Sequence, residues 1–140
     1  MTGPFVLDAS MTLSWAFEAE STPFTVAVLR SLETVQALAP ALWAFEVASV
    51  LSVAERRGRM NAAAQTAFLE RLRSLPIAIE HRPAAWLAQQ ILPLARTHRI
   101  GAYDAAYLEL AIRERLPLAT LDGDLRRAAS AAGVALVGAA

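Results

Sequence analysis

Residues 4–10 read PFVLDAS. Three apolar residues, Phe5, Val6 and Leu7, run without alternation into Asp8, and Ser10 follows. A short unbroken apolar run predicts a strand buried on both faces, and Asp-Ala-Ser predicts the capped start of a helix. The same pattern returns late in the chain. LPLATLD (116–122) is an apolar run ending in Asp122, and GDLRRAASAAG (123–133) follows with helical spacing. ALAP (37–40), IAIE (77–80) and VALVG (134–138) are further short apolar runs.

Between the runs lie helical patterns. These are MTLSWAFEA (11–19), FTVAVLRSLETVQ (24–36), LWAFEVASVLSVAERRG (42–58), AAAQTAFLERLRSL (62–75) behind the cap Asn61, PAAWLAQQILPLARTHR (83–99) and GAYDAAYLELAIRERL (101–116). Pro93 is expected to kink its helix. Strands that alternate with helices and are never hairpin-linked predict an α/β fold, with a parallel sheet flanked by helices on both faces. At 140 residues the expectation is one domain, 1–140.

Composition narrows the chemistry. Hydrophobic residues make up 56% and charged residues 19%, which excludes a disordered chain. The longest stretches without a charge, 83–95 and 128–140, are 13 residues each, whereas a membrane span needs about 20. Early Asp8 breaks any signal-like apolar run, so the expected compartment is the cytoplasm. All 13 basic residues are Arg. Without Lys there is no P-loop and no Schiff-base chemistry, and without Cys there is no thiol chemistry or disulfide. His81 and His98 alone make a histidine-based metal site improbable.

Asp is scarce: Asp8, Asp104, Asp122 and Asp124 are the whole set. Asp8 and Asp122 fall at the carboxyl ends of two expected strands, where open parallel sheets build their sites. Helix capping is the competing explanation for each alone. Glu46 is harder to explain structurally. It has Leu42, Trp43, Ser49 and Val50 at helical offsets and no Arg three or four residues away. Asp104 has Ile100, Tyr107 and Leu108 at the same offsets, though it could cap its helix. A carboxylate on an apolar stripe must be paired, capped or bound to a metal.

Two unit charges 5 Å apart repel by roughly 3 kcal/mol at an effective dielectric near 20. Four converging acids therefore call for a cation. All-oxygen donors without His or Cys favour Mg2+ or Mn2+, which suits phosphodiester hydrolysis. Asp124 is either a fifth acid or the cap of the last helix. Ser10 and Thr120 could bond the carboxylates, with capping and plain strand character as their alternatives.

Four segments, taken together, resemble the PIN-domain ribonucleases, and most closely the VapC-type toxins of toxin–antitoxin pairs. FVLDAS carries Asp8, APALWAFEVASVL carries Glu46, RIGAYDAAYLELA carries Asp104, and LATLDGDLRRAA carries Thr120 and Asp122. The resemblance implies a five-stranded parallel sheet of order 3-2-1-4-5, which would make the strands before Asp8 and Asp122 neighbours. It further implies a Mg2+- or Mn2+-dependent endoribonuclease with catalytic and metal-holding acids Asp8, Glu46, Asp104 and Asp122. Homodimers and a small VapB-like antitoxin partner are implied as well.

The zero net charge departs from a typical nucleic-acid enzyme, so RNA contacts must rest on local Arg clusters. Arg96 and Arg99, just before Asp104, are the best candidates; helix-end charge is their bland alternative. Trp15, Trp43, Trp86, Phe17, Phe24 and Phe45 could stack bases or pack in a core or a dimer. The rival reading is a catalytically silent PIN-fold module that acts through a protein partner or passive RNA binding. A haloacid-dehalogenase-type phosphatase is excluded, because Ser10 stands where its second Asp belongs and its Lys is missing.

Overall fold

The computed structural model describes residues 3–138. Its first strand, β1 (Phe5–Leu7), is followed by helices α1 (Ala9–Ser14) and α2 (Pro23–Ser31), with a 3-10 turn at Glu18–Glu20 between them. Then come β2 (Ala37–Pro40), α3 (Leu42–Arg56), α4 (Ala62–Arg73), β3 (Ile77–Glu80), α5 (Ala84–His98), α6 (Ala102–Glu114), β4 (Leu118–Ala119) and α7 (Gly123–Ala131).

The sheet is parallel and its order is β3-β2-β1-β4. The expected order 3-2-1-4-5 is thus correct as far as it goes, but four strands form among the described residues, not five. VALVG lies where the fifth should lie. Leu118 N–H donates to Ala135 O and Val137 N–H to Leu118 O, giving one parallel bridge between Leu118 and Leu136. β4 is only two residues long, so its outer edge gives a fifth strand almost nothing to pair with.

Local chemistry explains most boundaries. Thr22 and Thr25 form a reciprocal capping box on α2, and Asn61 accepts from the Ala64 N–H to start α4. Gly58, at φ 69°, takes the left-handed turn after α3. Helix α1 stops at Ser14, short of the expected 11–19, and Trp15 turns its indole N–H to the Thr25 carbonyl. Pro93 lies inside α5 without ending it. Among the described residues no helix is long and apolar enough to cross a membrane.

The core has three buried clusters, and Trp43 packs against all of them. Its indole N–H also donates to Thr12 Oγ1 at 2.9 Å, and Thr12 donates to the Asp8 carbonyl. Trp43 thereby fixes the start of α3 against the end of β1, which sets where Glu46 stands relative to Asp8.

Candidate active site at the carboxyl edge of the sheet

Asp8 follows β1 directly, and its N–H donates to the Ala119 carbonyl of neighbouring β4. The crossing of order at β1, with β2 on one side and β4 on the other, opens the crevice that parallel sheets use for sites. Asp8 is only 4% exposed. Ser10 Oγ and Thr120 Oγ1 both donate to its Oδ2 at 2.6 Å. Leu121 N–H donates to Ser10 Oγ, and Asp122 N–H to Thr120 Oγ1. These hydroxyls therefore orient a carboxylate rather than merely capping a helix or filling a strand. Asp8 starts α1 without a side-chain capping bond, so capping does not account for it.

Asp122 does cap: its Oδ1 accepts from the Leu125 N–H at 2.9 Å. Of the two alternatives for Asp124, the cap is ruled out, because Asp122 holds that position, while Asp124 adds to the charge that raises Asp104. Asp124 sits two residues later, in the first turn, exposed, 3.8 Å from Arg127. Arg126 folds back and donates to the Thr120 carbonyl at 3.0 Å, bracing the strand end that carries the hydroxyl.

Glu46 projects from the first turns of α3 and is half-buried. Its partner is Tyr107 of α6, whose hydroxyl donates to Oε1 at 2.6 Å. Sequence reading took Tyr107 as an apolar neighbour of Asp104. The available signal was its phenol: a buried Tyr needs a partner for its hydroxyl. Asp104 lies one turn before Tyr107, in the first turn of α6.

These acids lie close enough to raise one another's proton affinity. Burial pushes the Asp8 carboxyl up, with Asp122 adding to the rise, against the Ser10 and Thr120 bonds. Burial also raises Glu46, against the Tyr107 bond, and Asp8 adds to it. Asp104 rises from its ordinary 3.8 to about 6, first through burial, then through Asp122, Asp8, Glu46 and Asp124. Every charge in that series is negative, which is the environment that draws in a hard cation.

Among the described residues no three acid, imidazole or thiol side chains stand ready as a closed metal-ligand group. Asp8 is turned to its hydroxyls, Glu46 to Tyr107 and Asp122 to its helix. The donor chemistry nevertheless fits Mg2+ or Mn2+: carboxylates and hydroxyls only, with mutual repulsion that a divalent ion would relieve.

Of the Arg candidates, Arg96 lies exposed in the last turn of α5. Arg99 ends that helix with a left-handed backbone, φ 54°. Arg127 of α7 donates to the His98 carbonyl, so the two basic segments meet beside the acids of α6 and α7. Trp15, Trp43 and Phe17 belong to the core, which leaves Phe45 as the exposed aromatic of that set nearest the acids.

Tyr107→Phe should keep the fold but raise the proton affinity of Glu46, because the bond it removes holds that carboxyl down. Mn2+ affinity, measured by calorimetry, should fall, and the loss should shrink as pH rises and Glu46 ionises. A pH-independent loss would mean that Tyr107 acts by packing alone.

The model of the PIN domain family matches residues 5–131. Solved structures agree on the fold. PAE2754 from Pyrobaculum aerophilum is 22% identical, with TM-score 0.70, over 91% of this chain and 86% of that one. FitAcB from Neisseria gonorrhoeae is 25% identical, with TM-score 0.62, over 94% and 95%. VapC20 from Mycobacterium tuberculosis, described as a sarcin–ricin loop cleaving toxin, is 19% identical, with TM-score 0.64, over 95% and 98%. No curated protein matches the chain.

Proposed function

Because this chain belongs to the PIN domain family, we propose that it is a divalent-metal-dependent endoribonuclease of the VapC toxin type, neutralised by a cognate antitoxin. The observation that carries the reading is the convergence of Asp8, Glu46, Asp104 and Asp122 at one sheet edge, each of the first three raised by burial and by another of the set. A silent binding module has no use for such a costly cluster.

The four acids would hold Mg2+ or Mn2+, directly or through water. An ion held there would supply Lewis acidity for acidifying a water and neutralising the phosphate. Ser10 and Thr120 keep Asp8 in one rotamer, Tyr107 does so for Glu46, and the N-cap bond does so for Asp122. Arg96 and Arg99, joined by Arg127, would take phosphates of the flanking strand. The route leaves a 5′-phosphate and a 3′-hydroxyl. Attack by the RNA 2′-hydroxyl would instead need a general base such as His, and His98 lies at the end of α5 among arginines.

Two neighbouring structures, of VapBC2 from Rickettsia felis and of FitAB, are bound to DNA fragments. Likeness to such pairs supports an antitoxin partner. An Arg- or Lys-bearing segment of that partner would complement the acid groove. A homodimer is also implied, and Leu92 on α5 is exposed apolar surface that such a pair could bury.

The test is cleavage of total RNA by the purified protein, with end mapping. Cleavage should need Mg2+ or Mn2+, stop in EDTA and yield 5′-phosphate ends. Undiminished cleavage in EDTA, or cyclic phosphate ends, would overturn the mechanism.

A further inference from the structure

An aromatic residue precedes each helix-borne acid: Phe45 before Glu46 and Tyr103 before Asp104. Both are unusually open, Phe45 at 76% and Tyr103 at 68% exposure. With Leu42, Ser49 and Val50 they line one depression of about 460 Å3 whose wall includes Glu46 itself. Consecutive residues on a helix point about 100° apart, so a residue just before an inward-facing acid stands on the solvent flank of that acid. Two helices do this at the same place.

Most of the other aromatics are treated differently, and Trp86, 37% exposed, lies against the Arg113 guanidinium instead. Phe5 and Tyr107 are fully buried, Phe17 is in the core, and the Trp15 and Trp43 indoles are hydrogen-bonded. Two exposed rings beside an acid cluster, rimmed by Leu42 and Val50, form a patch rather than scattered surface apolar residues.

From this placement, and resting on the ribonuclease reading above, we propose that Phe45 and Tyr103 form a shelf on which an unpaired base of single-stranded RNA stacks, next to the phosphate being cut. Single-stranded RNA offers splayed bases to aromatic side chains, and stacking tolerates any base because every base has a π-face. A second copy of the chain is the competing occupant. It would seal Glu46, a carboxylate already paying for its burial, away from water with no counter-charge in view. A stacked base covers the rings and leaves the acid side open.

The experiment measures binding of a fluorescein-labelled, mixed-sequence, single-stranded RNA 12-mer by anisotropy, with Ca2+ in place of Mg2+. Phe45→Ala and Tyr103→Ala should each weaken binding by about tenfold, within the range that losing one stacked base gives. Phe45→Leu should be as weak as Phe45→Ala, and Phe45→Trp should bind like the parent and show emission quenched by RNA. Both positions are exposed, so melting temperatures should stay within about 2 °C of the parent, as surface changes do. Ala variants that bind like the parent would overturn the shelf while parental cleavage upheld the ribonuclease reading. Ala variants that sediment as a smaller species with unchanged RNA affinity would assign the patch to a second copy. A parent protein that neither binds nor cleaves RNA would overturn the ribonuclease reading, and the shelf with it.

Discussion

Asp104→Asn will stop cleavage and yet make the metal-free protein harder to melt. Asp104 is the acid with the greatest number of negative neighbours: Asp122, Asp8, Glu46 and Asp124 all raise it, on top of burial, to about 6. The sign follows from proton linkage. Below its ordinary 3.8 the group is neutral in folded and unfolded chains alike. Between 3.8 and about 6 the folded chain holds more protons, so stability falls as pH rises. Above about 6 the penalty is complete. Asp8 and Glu46, both raised, act in the same direction.

In EDTA the wild-type melting temperature should therefore drop between pH 5 and pH 7. Asp104→Asn should flatten that drop and melt higher at pH 7. Mg2+ should restore the wild type at pH 7 and do little for the variant. Cleavage should fall more than about 100-fold, beyond what losing a supporting partner alone costs. A destabilised Asp104→Asn, or an EDTA profile rising from pH 5 to pH 7, would mean that the acids do not repel one another in the folded chain.

The acids were legible in the sequence because their settings were chemically odd. A carboxylate amid Leu42, Trp43 and Val50 offers no local reason for its charge, and Asp8 and Asp122 end apolar runs of matching form. That β1 and β4 lie side by side was not legible from spacing. It came only with the resemblance, and the β1–β4 pairing establishes it. The fifth strand was misread because VALVG has strand composition whatever it pairs with, while pairing depends on the length of β4. The cap alternative for Asp124 missed by two residues, since either Asp of LDGD can cap and only backbone geometry decides. The contacts of Tyr107 and Arg126 were not legible because their partners, Glu46 and the Thr120 carbonyl, belong to other elements.

Glu109 was missed for the opposite reason: its partner is four residues away, but nothing in the sequence says that the pair is buried. Arg113→Met should be among the most destabilising single changes in the chain. Glu109, 6% exposed on α6, accepts from Arg113 Nε at 2.8 Å and from Nη2 at 3.1 Å. Arg113 Nη1 reaches Glu80, the last residue of β3, at 2.6 Å, and its guanidinium lies 5.6 Å from the Trp86 ring of α5. One side chain thus ties α6 to β3 and α5. Removing it strands a buried carboxylate, which typically costs about 3–5 kcal/mol. At this chain length that lowers the melting temperature by roughly 10 °C. The double change Arg113→Met with Glu109→Leu should recover most of the loss, because the orphaned charge is then gone. Arg113 also holds Glu80 below its ordinary 4.5, so this contribution is present above 4.5 and lost as pH falls below it. The acid site works in the opposite direction, losing stability as pH rises toward about 6. Wild-type protein in EDTA should therefore melt highest near pH 4.5, where the Glu80 contribution is in place and the Asp104 penalty is still small, and Arg113→Met should lose the acid-side limb of that profile. An Arg113→Met variant that melts within about 2 °C of the parent at pH 7, the range of ordinary surface changes, would show that Glu109 finds another donor.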